Sequence, residues 1–130
     1  MIKIKGFTLP EVVITIAIVG ILSMAAVPIY RGYVRKSMST EGKALVAEIN
    51  AAEHVYYSRN GHFYDTNNKT EDNTTVLGVD ARSNKYFKSY KITTGDDNTF
   101  EVKTEYEGKA VALVGSLTAE PQIIDDFSKE

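Results

Sequence analysis

The chain has 130 residues, with 15 Lys and Arg against 17 Asp and Glu, and no cysteine. That near-balance argues against a basic nucleic-acid-binding tail or an acidic disordered one, and the missing thiols exclude disulfides and thiolate metal sites. With a membrane-length apolar run set aside, roughly 100 residues remain, enough for one small domain held together by packing and hydrogen bonds alone.

Residues 1–6 read Met-Ile-Lys-Ile-Lys-Gly. Lys3 and Lys5 favour a cytoplasmic N-terminus. From Val12 to Tyr30 there are nineteen residues and no charge. As a helix they span ~28 Å, close to the ~30 Å hydrocarbon core of a bilayer. A secretory signal would place a small-residue cleavage site after that run. Pro28-Ile29-Tyr30-Arg31 has no such pattern; the small residue, Gly6, comes before it. Arg31, Arg35 and Lys36 follow the run, so charge counting by itself leaves orientation open.

Glu11 stands at the mouth of the run. A carboxylate there is costly unless partnered, which marks it as a functional candidate. No Lys or Arg lies among residues 7–30. Glu11 therefore meets a cation from elsewhere, snorkels to lipid headgroups, or complements the positive helix N-terminus. Gly20 and Pro28 weaken the helix by about 1 and about 3 kcal/mol. They mark either a kink or a segment that can lose helicity.

Past Tyr30 the period changes. Val34, Met38, Gly42, Leu45, Ile49, Ala52 and Tyr56 share one helical face. Arg35, Lys36, Glu41, Lys43, Glu48 and Glu53 fall mostly elsewhere. No Ser/Thr-x-x-Glu box restarts the helix here. Asn60-Gly61 is the stop, with Arg59 in the last turn. The reading is one helix from Phe7 to Arg59, about 80 Å long.

Residues 61–84 are polar and turn-forming, pinned by Phe63 and Tyr64 at one end and by Val76, Leu77 and Val79 at the other. Asn68-Lys69-Thr70 and Asn73-Thr74-Thr75 fit N-x-S/T, with Glu71 extending the second toward a bacterial-type acceptor; such patterns are common in an Asn/Thr-rich loop. Three strands follow: Tyr86 to Thr94, Thr99 to Tyr106 and Lys109 to Val114. The turns Gly95-Asp96-Asp97-Asn98 and Glu107-Gly108 imply an antiparallel meander. One apolar sheet face needs a cover, and the 34–56 stripe is the obvious one. The tail adds a short segment around Gln122-Ile123-Ile124.

Catalytic chemistry is not indicated: no nucleophile motif, phosphate loop or paired catalytic acids occur. Neither a metal nor any other cofactor is expected. Asp96-Asp97 and Asp125-Asp126 read as solvated turns rather than calcium ligands, and His54 and His62 as structural or surface residues. Tyr30, Tyr33, Tyr56, Tyr57, Phe63 and Tyr64 read as amphipathic packing rather than an electron-conducting stripe. Residues after 60 mix Lys with Asp and Glu, so no nucleic-acid partner is expected.

The basic leader, Gly6, Phe7-Thr8-Leu9-Pro10-Glu11 and the apolar run together resemble the class III signal of type IV pilins and the related pseudopilins. The match covers residues 1 to about 35 closely and to about 61 more loosely. Pro10 stands where the family often has Leu or Ile; proline is tolerated in a first helical turn. The resemblance implies the type IV pilin fold, an α+β architecture with a long N-terminal helix, transmembrane and then amphipathic, packed on a small antiparallel head. Its divisions would be a leader at 1–6, a transmembrane and assembly helix at 7–30, an amphipathic half at 31–60, an αβ loop at 61–84, and the head and tail at 85–130.

The resemblance also implies processing and assembly. A prepilin peptidase would cleave between Gly6 and Phe7 and methylate the Phe7 amine. Losing Lys3 and Lys5 takes the basic count from 15 to 13 against 17 acids, a side-chain balance of −4. Glu11 would pair with the Phe7 amine of a neighbouring subunit, and residues 20 to 28 would extend on assembly. Expected partners are further copies in a helical filament, the peptidase, a pilus assembly platform and, before assembly, the inner membrane. The precursor would sit with its N-terminus cytoplasmic and head outward; the assembled pilus would be extracellular. Motility, adhesion and DNA uptake stay open, as does major against minor subunit. The alternatives are a pseudopilin of a type II secretion system, a membrane-tethered module that takes up DNA, and a single-pass protein with an uncleaved anchor. Many pilins close their C-terminal region with a disulfide, which this chain cannot form.

Overall fold

One helix, α1, occupies Leu9–Asn60 without interruption in the computed structural model, which describes residues 1–2 and 5–129. It begins two residues later than the sequence pattern places it, because Thr8 acts as N-cap: its carbonyl accepts the first intrahelical bond from the Val12 N–H at 3.2 Å. It ends one residue later, just ahead of Gly61, whose φ of +76° is the left-handed conformation a helix C-terminus favours. The Gly61 N–H donates to the Tyr57 carbonyl at 2.8 Å and closes the last turn.

The chain divides into two compact units, Met1–Val34 and Arg35–Glu130. In the first, every described residue up to Tyr33 is exposed. The helix passes through Gly20 and Pro28 without a break. Pro28 has no N–H, so the Met24 carbonyl lacks its helical donor.

The second unit packs the remainder of α1 on a four-stranded antiparallel sheet. Its strands are β3 (Lys91–Thr94), β4 (Thr99–Tyr106), β5 (Lys109–Ser116) and β6 (Gln122–Asp125), adjacent in that order. Inward positions alternate as a half-buried sheet requires: Phe100, Val102 and Thr104 on β4 stand opposite Gly115, Leu113 and Val111 on β5. Against them α1 buries Gly42, Leu45, Val46, Ile49 and Glu53. Phe63, Val79, Ala81, Phe87, Tyr90, Ile92 and Phe127 complete the core. Each of the larger apolar side chains contributes about 1.5–3 kcal/mol of burial. At Gly42 helix and sheet approach closely: a Cβ there would lie 2.7 Å from Val111 Cγ2 and 3.0 Å from Phe87 Cε2.

The β4–β5 turn is the two-residue Glu107-Gly108 connection read from the sequence. Both residues have positive φ, 50° and 77°, the signature of a type I′ hairpin. The free edge of β3 is covered by the loop. Thr66 N–H donates to the Ile92 carbonyl at 3.1 Å, and the Ile92 N–H donates to Thr66 Oγ1 at 3.2 Å. The Thr94 N–H reaches Asp65 Oδ2 at 2.9 Å. An edge so occupied cannot recruit another strand.

β5 runs two residues past the expected Val114, to Ser116, and two stretches differ more from the sequence reading. Of the strand expected from Tyr86 to Thr94, only Lys91–Thr94 is strand. The preceding N–H groups of Lys85, Tyr86 and Phe87 are taken by the Glu41 carboxylate at 3.1, 2.7 and 2.8 Å, and Tyr90 makes only an isolated antiparallel bridge to Glu71. The polar loop is not structureless either. It carries a small hairpin, β1 (Asn73–Thr74) with β2 (Val79–Asp80). The buried Tyr90 hydroxyl pins it, donating to the Val79 carbonyl at 3.2 Å and meeting the Thr74 hydroxyl at 3.0 Å.

Candidate functional site

The first candidate site is the start of α1. Thr8-Leu9-Pro10-Glu11 is itself a Ser/Thr-x-x-Glu sequence, with Thr8 at the N-cap and Glu11 three residues on. As that geometry demands, Glu11 Oε2 reaches back to the Thr8 N–H at 2.7 Å. It also accepts from the Thr8 hydroxyl at 2.7 Å. Pro10 costs nothing here, since a first-turn N–H has no helical acceptor. The role of Thr8 is legible in those four residues, a capping box at the start of the helix.

Around this cap the chain is open. Gly6 and Phe7 precede the helix, Phe7 is 86% exposed, and a Cβ at Gly6 would meet nothing within 4 Å. Lys3, the other half of the basic pair expected here, lies outside the described residues. Beyond Glu11 the exposed side chains are apolar through Ile29 save for Thr15 and Ser23. Those two turn inward on the helix, donating to the Val12 and Val19 carbonyls, both at 2.7 Å. The structure joins Thr8 and Glu11 by hydrogen bonds, and Gly6 and Phe7 directly precede them in sequence. Gly20 and Pro28 lie further along the same helix and touch none of them. α1 is long and apolar enough to cross a membrane.

A second surface was missed in the sequence. Between Asp80 and Asp96 there is no acid, while Arg82, Lys85, Lys88 and Lys91 recur every third residue with Tyr86, Phe87 and Tyr90 among them. Averaged over 61–130, the charge of this stretch is masked by the Asp and Glu on either side. It runs along the irregular segment that Glu41 holds. Lys85 lies 5.0 Å from the Tyr86 ring centroid, a cation–π contact. Lys88 is exposed. Lys91 stands directly opposite Lys103 of β4. Like charges so placed cost stability, and Glu105 offsets this by pairing with Lys103. Arg82 is engaged by Asp80 at 2.9 and 2.7 Å, and the guanidinium holds that carboxyl well below its usual range.

The remaining candidates separate from one another. Asn68 has φ +62° in an exposed turn, whereas Asn73 sits in β1 beside buried Thr74. Asp125 and Asp126 do not converge. Asp125 is buried and faces α1, accepting from Ser39 Oγ at 2.5 Å and Lys43 Nζ at 2.9 Å, while Asp126 accepts the Ala110 N–H at 3.2 Å. His54 turns its ring edge-on to Phe63 and Phe100, with centroids 6.0 and 6.2 Å apart.

Residues 1–27 match the family model of the prokaryotic N-terminal methylation motif. Residues 28–113 match the family described as type IV minor pilin ComP, DNA uptake sequence receptor. The chain is 34% identical over 119 residues to the type IV major pilin protein PilE1 of Neisseria gonorrhoeae, covering 85% of this chain and 62% of that one. It is 34% identical over 120 residues to the fimbrial protein EcpC of Eikenella corrodens, covering 86% and 74%. With the type IV major fimbrial protein FimA of Dichelobacter nodosus it shares 29% over 135 residues, covering 94% and 79%. The chain spans less than two thirds of the gonococcal pilin's length.

Proposed function

Because this chain belongs to the type IV pilin family, we propose that it is the structural subunit of a surface filament, made as a membrane-held precursor and assembled helically. The carrying observation is the exposed apolar surface of α1 from Leu9 to Tyr30 with a single carboxylate at its start. Such a surface needs lipid before assembly and other copies afterwards. Head-to-tail contacts that do not close on themselves would extend it into a fibre.

In this reading a prepilin peptidase cuts between Gly6 and Phe7, which lie open ahead of the cap, and methylates the new amine. Glu11 then trades its Thr8 donors for the Phe7 amine of an adjacent copy, a desolvated pair that sets register. The stretch from Gly20 to Pro28 gives up helicity in the filament. The precursor sits in the inner membrane with its head outward, and an assembly platform draws it into the pilus. The relatives named above are pilins and fimbrial proteins, which favours a fibre over a secretion-system pseudopilin. The test is Glu11→Gln in cells that make the fibre, with mass analysis of the wild-type N-terminus. Sparse or absent fibres and an N-methylated Phe7 are expected; ordinary fibres in normal yield from the variant would overturn the reading.

A second reading rests on the match to a DNA-uptake minor pilin and on the acid-free stretch from Ala81 to Gly95. Here the head also contacts nucleic acid, with Lys85, Lys88 and Lys91 meeting phosphates and Tyr86 flanking them. Removing Lys85 and Lys88 together should flatten the log–log salt dependence of duplex binding by about 2, since each neutralised phosphate accounts for about 0.9 of the slope. Equal slopes for the variant and the wild type would dismiss it.

A further inference from the structure

Neither surface uses Glu53, an acid in the core. Glu53 lies on the buried face of α1 with 0% of its surface exposed. Its Oε2 accepts the Tyr64 N–H at 2.9 Å. Its Oε1 has no partner among the described residues, and neither does the buried Oδ1 of Asn50, one turn earlier on the same helix. Two buried acceptors facing no donor are expensive; a proton on Glu53 turns one of them into a donor.

The titratable groups around Glu53 do not favour its charge. From the loop come Tyr64 and Asp65, the latter a like charge. Lys91 of β3 acts on Asp65, and Glu71 and Tyr56 act on Tyr64. His54, next on the helix, is occupied with Phe63 and Phe100. Burial is the main cause that pushes the Glu53 carboxyl up to about 7, against the opposing pull of the Tyr64 N–H.

We propose that Glu53 is a proton-operated latch: neutral, it docks the segment from Phe63 to Thr66 on the end of α1, and ionised, it loosens that segment. The segment matters because Asp65 and Thr66 cover the edge of β3, so loosening it uncovers strand edge on the head. A lateral contact between heads would thereby respond to the acidity outside the cell. The latch goes beyond assembly through the apolar helix and does not depend on it; only the contact between heads rests on the proposed filament.

The sign follows from proton linkage. The folded acid holds its proton up to about 7, while a released one titrates near its ordinary value. Docking is therefore strongest below the ordinary carboxylate range, weakens as pH rises toward 7, and levels off above it.

The test is amide exchange of Tyr64 and Thr66 in the full chain in detergent micelles, expressed as protection factors between pH 5 and 8. Wild type should lose about tenfold protection per pH unit up to 7. Glu53→Gln, whose amide supplies both a donor and an acceptor, should be flat and at least as protected at pH 8. It leaves His54 and His62 in place, so a slope that persists in the variant belongs to other groups and overturns the proposal. A carboxyl-carbon titration of wild-type Glu53 with its midpoint in the ordinary carboxylate range would overturn it independently of how the variant folds.

Discussion

The carboxylate of Glu41 lies 2.8 Å from the backbone nitrogen of Phe87, which is 46 residues away in sequence. The same side chain accepts the N–H groups of Lys85 and Tyr86. A carboxylate accepting several backbone donors is among the stronger hydrogen-bonding arrangements in proteins. Glu41→Ala leaves three N–H groups to solvent and should cost about 2–4 kcal/mol. Thermal unfolding of the chain in micelles measures it, and the loss should be smaller for Glu41→Gln, which keeps one acceptor.

Gly42 separates helix propensity from packing. Alanine normally improves a helix by about 1 kcal/mol over glycine. At Gly42 the new methyl would press on Val111 and Phe87, so Gly42→Ala should lose about 1–3 kcal/mol to overpacking. Gly32, with nothing within 4 Å of a Cβ, should show the ordinary gain in the unassembled chain. Comparing the two melting temperatures checks both expectations.

Asp125 ties β6 to α1. Burial alone would raise its carboxyl, but the Ser39 hydroxyl, Lys43 and the Phe127 N–H outweigh that and hold it below the usual range. A depressed acid contributes stability above its unfolded value, and that contribution disappears as pH falls through the lower folded value. Asp125→Asn should therefore destabilise by about 1–3 kcal/mol at pH 7, the half-exposed Lys43 keeping the figure modest. At pH 2 the difference from wild type should shrink. Paired melts at the two pH values test this.

Glu107 occupies the first left-handed position of the type I′ turn, where a side chain with a local hydrogen bond or none at all fits better. Glu107→Asn should add about 0.5 kcal/mol, and Glu107→Val should lose more than that. Urea midpoints at constant slope are the measurement.

What the sequence determined by itself is local. Spacings of three and four set the face of α1, Asn60-Gly61 ended it, and alternation set β4. Glu107-Gly108 set the hairpin, and Gln122-Ile123-Ile124 marked the last strand. Each is a preference of neighbours along the chain, readable wherever side-chain period and backbone freedom coincide. The Thr8–Glu11 cap belongs in the same class, being contained within four residues. The tertiary structure alone decided where polar groups find partners. Nothing near Tyr86 announces that its N–H will be taken by an acid on α1, so a segment with strand composition stays outside the sheet. Glu53 lies four residues after Ile49 and three before Tyr56, at the margin of the apolar stripe, but nothing in its charge announces that it will be fully buried. A strand is a claim on backbone donors, and which acceptor takes them depends on residues brought together only by the fold.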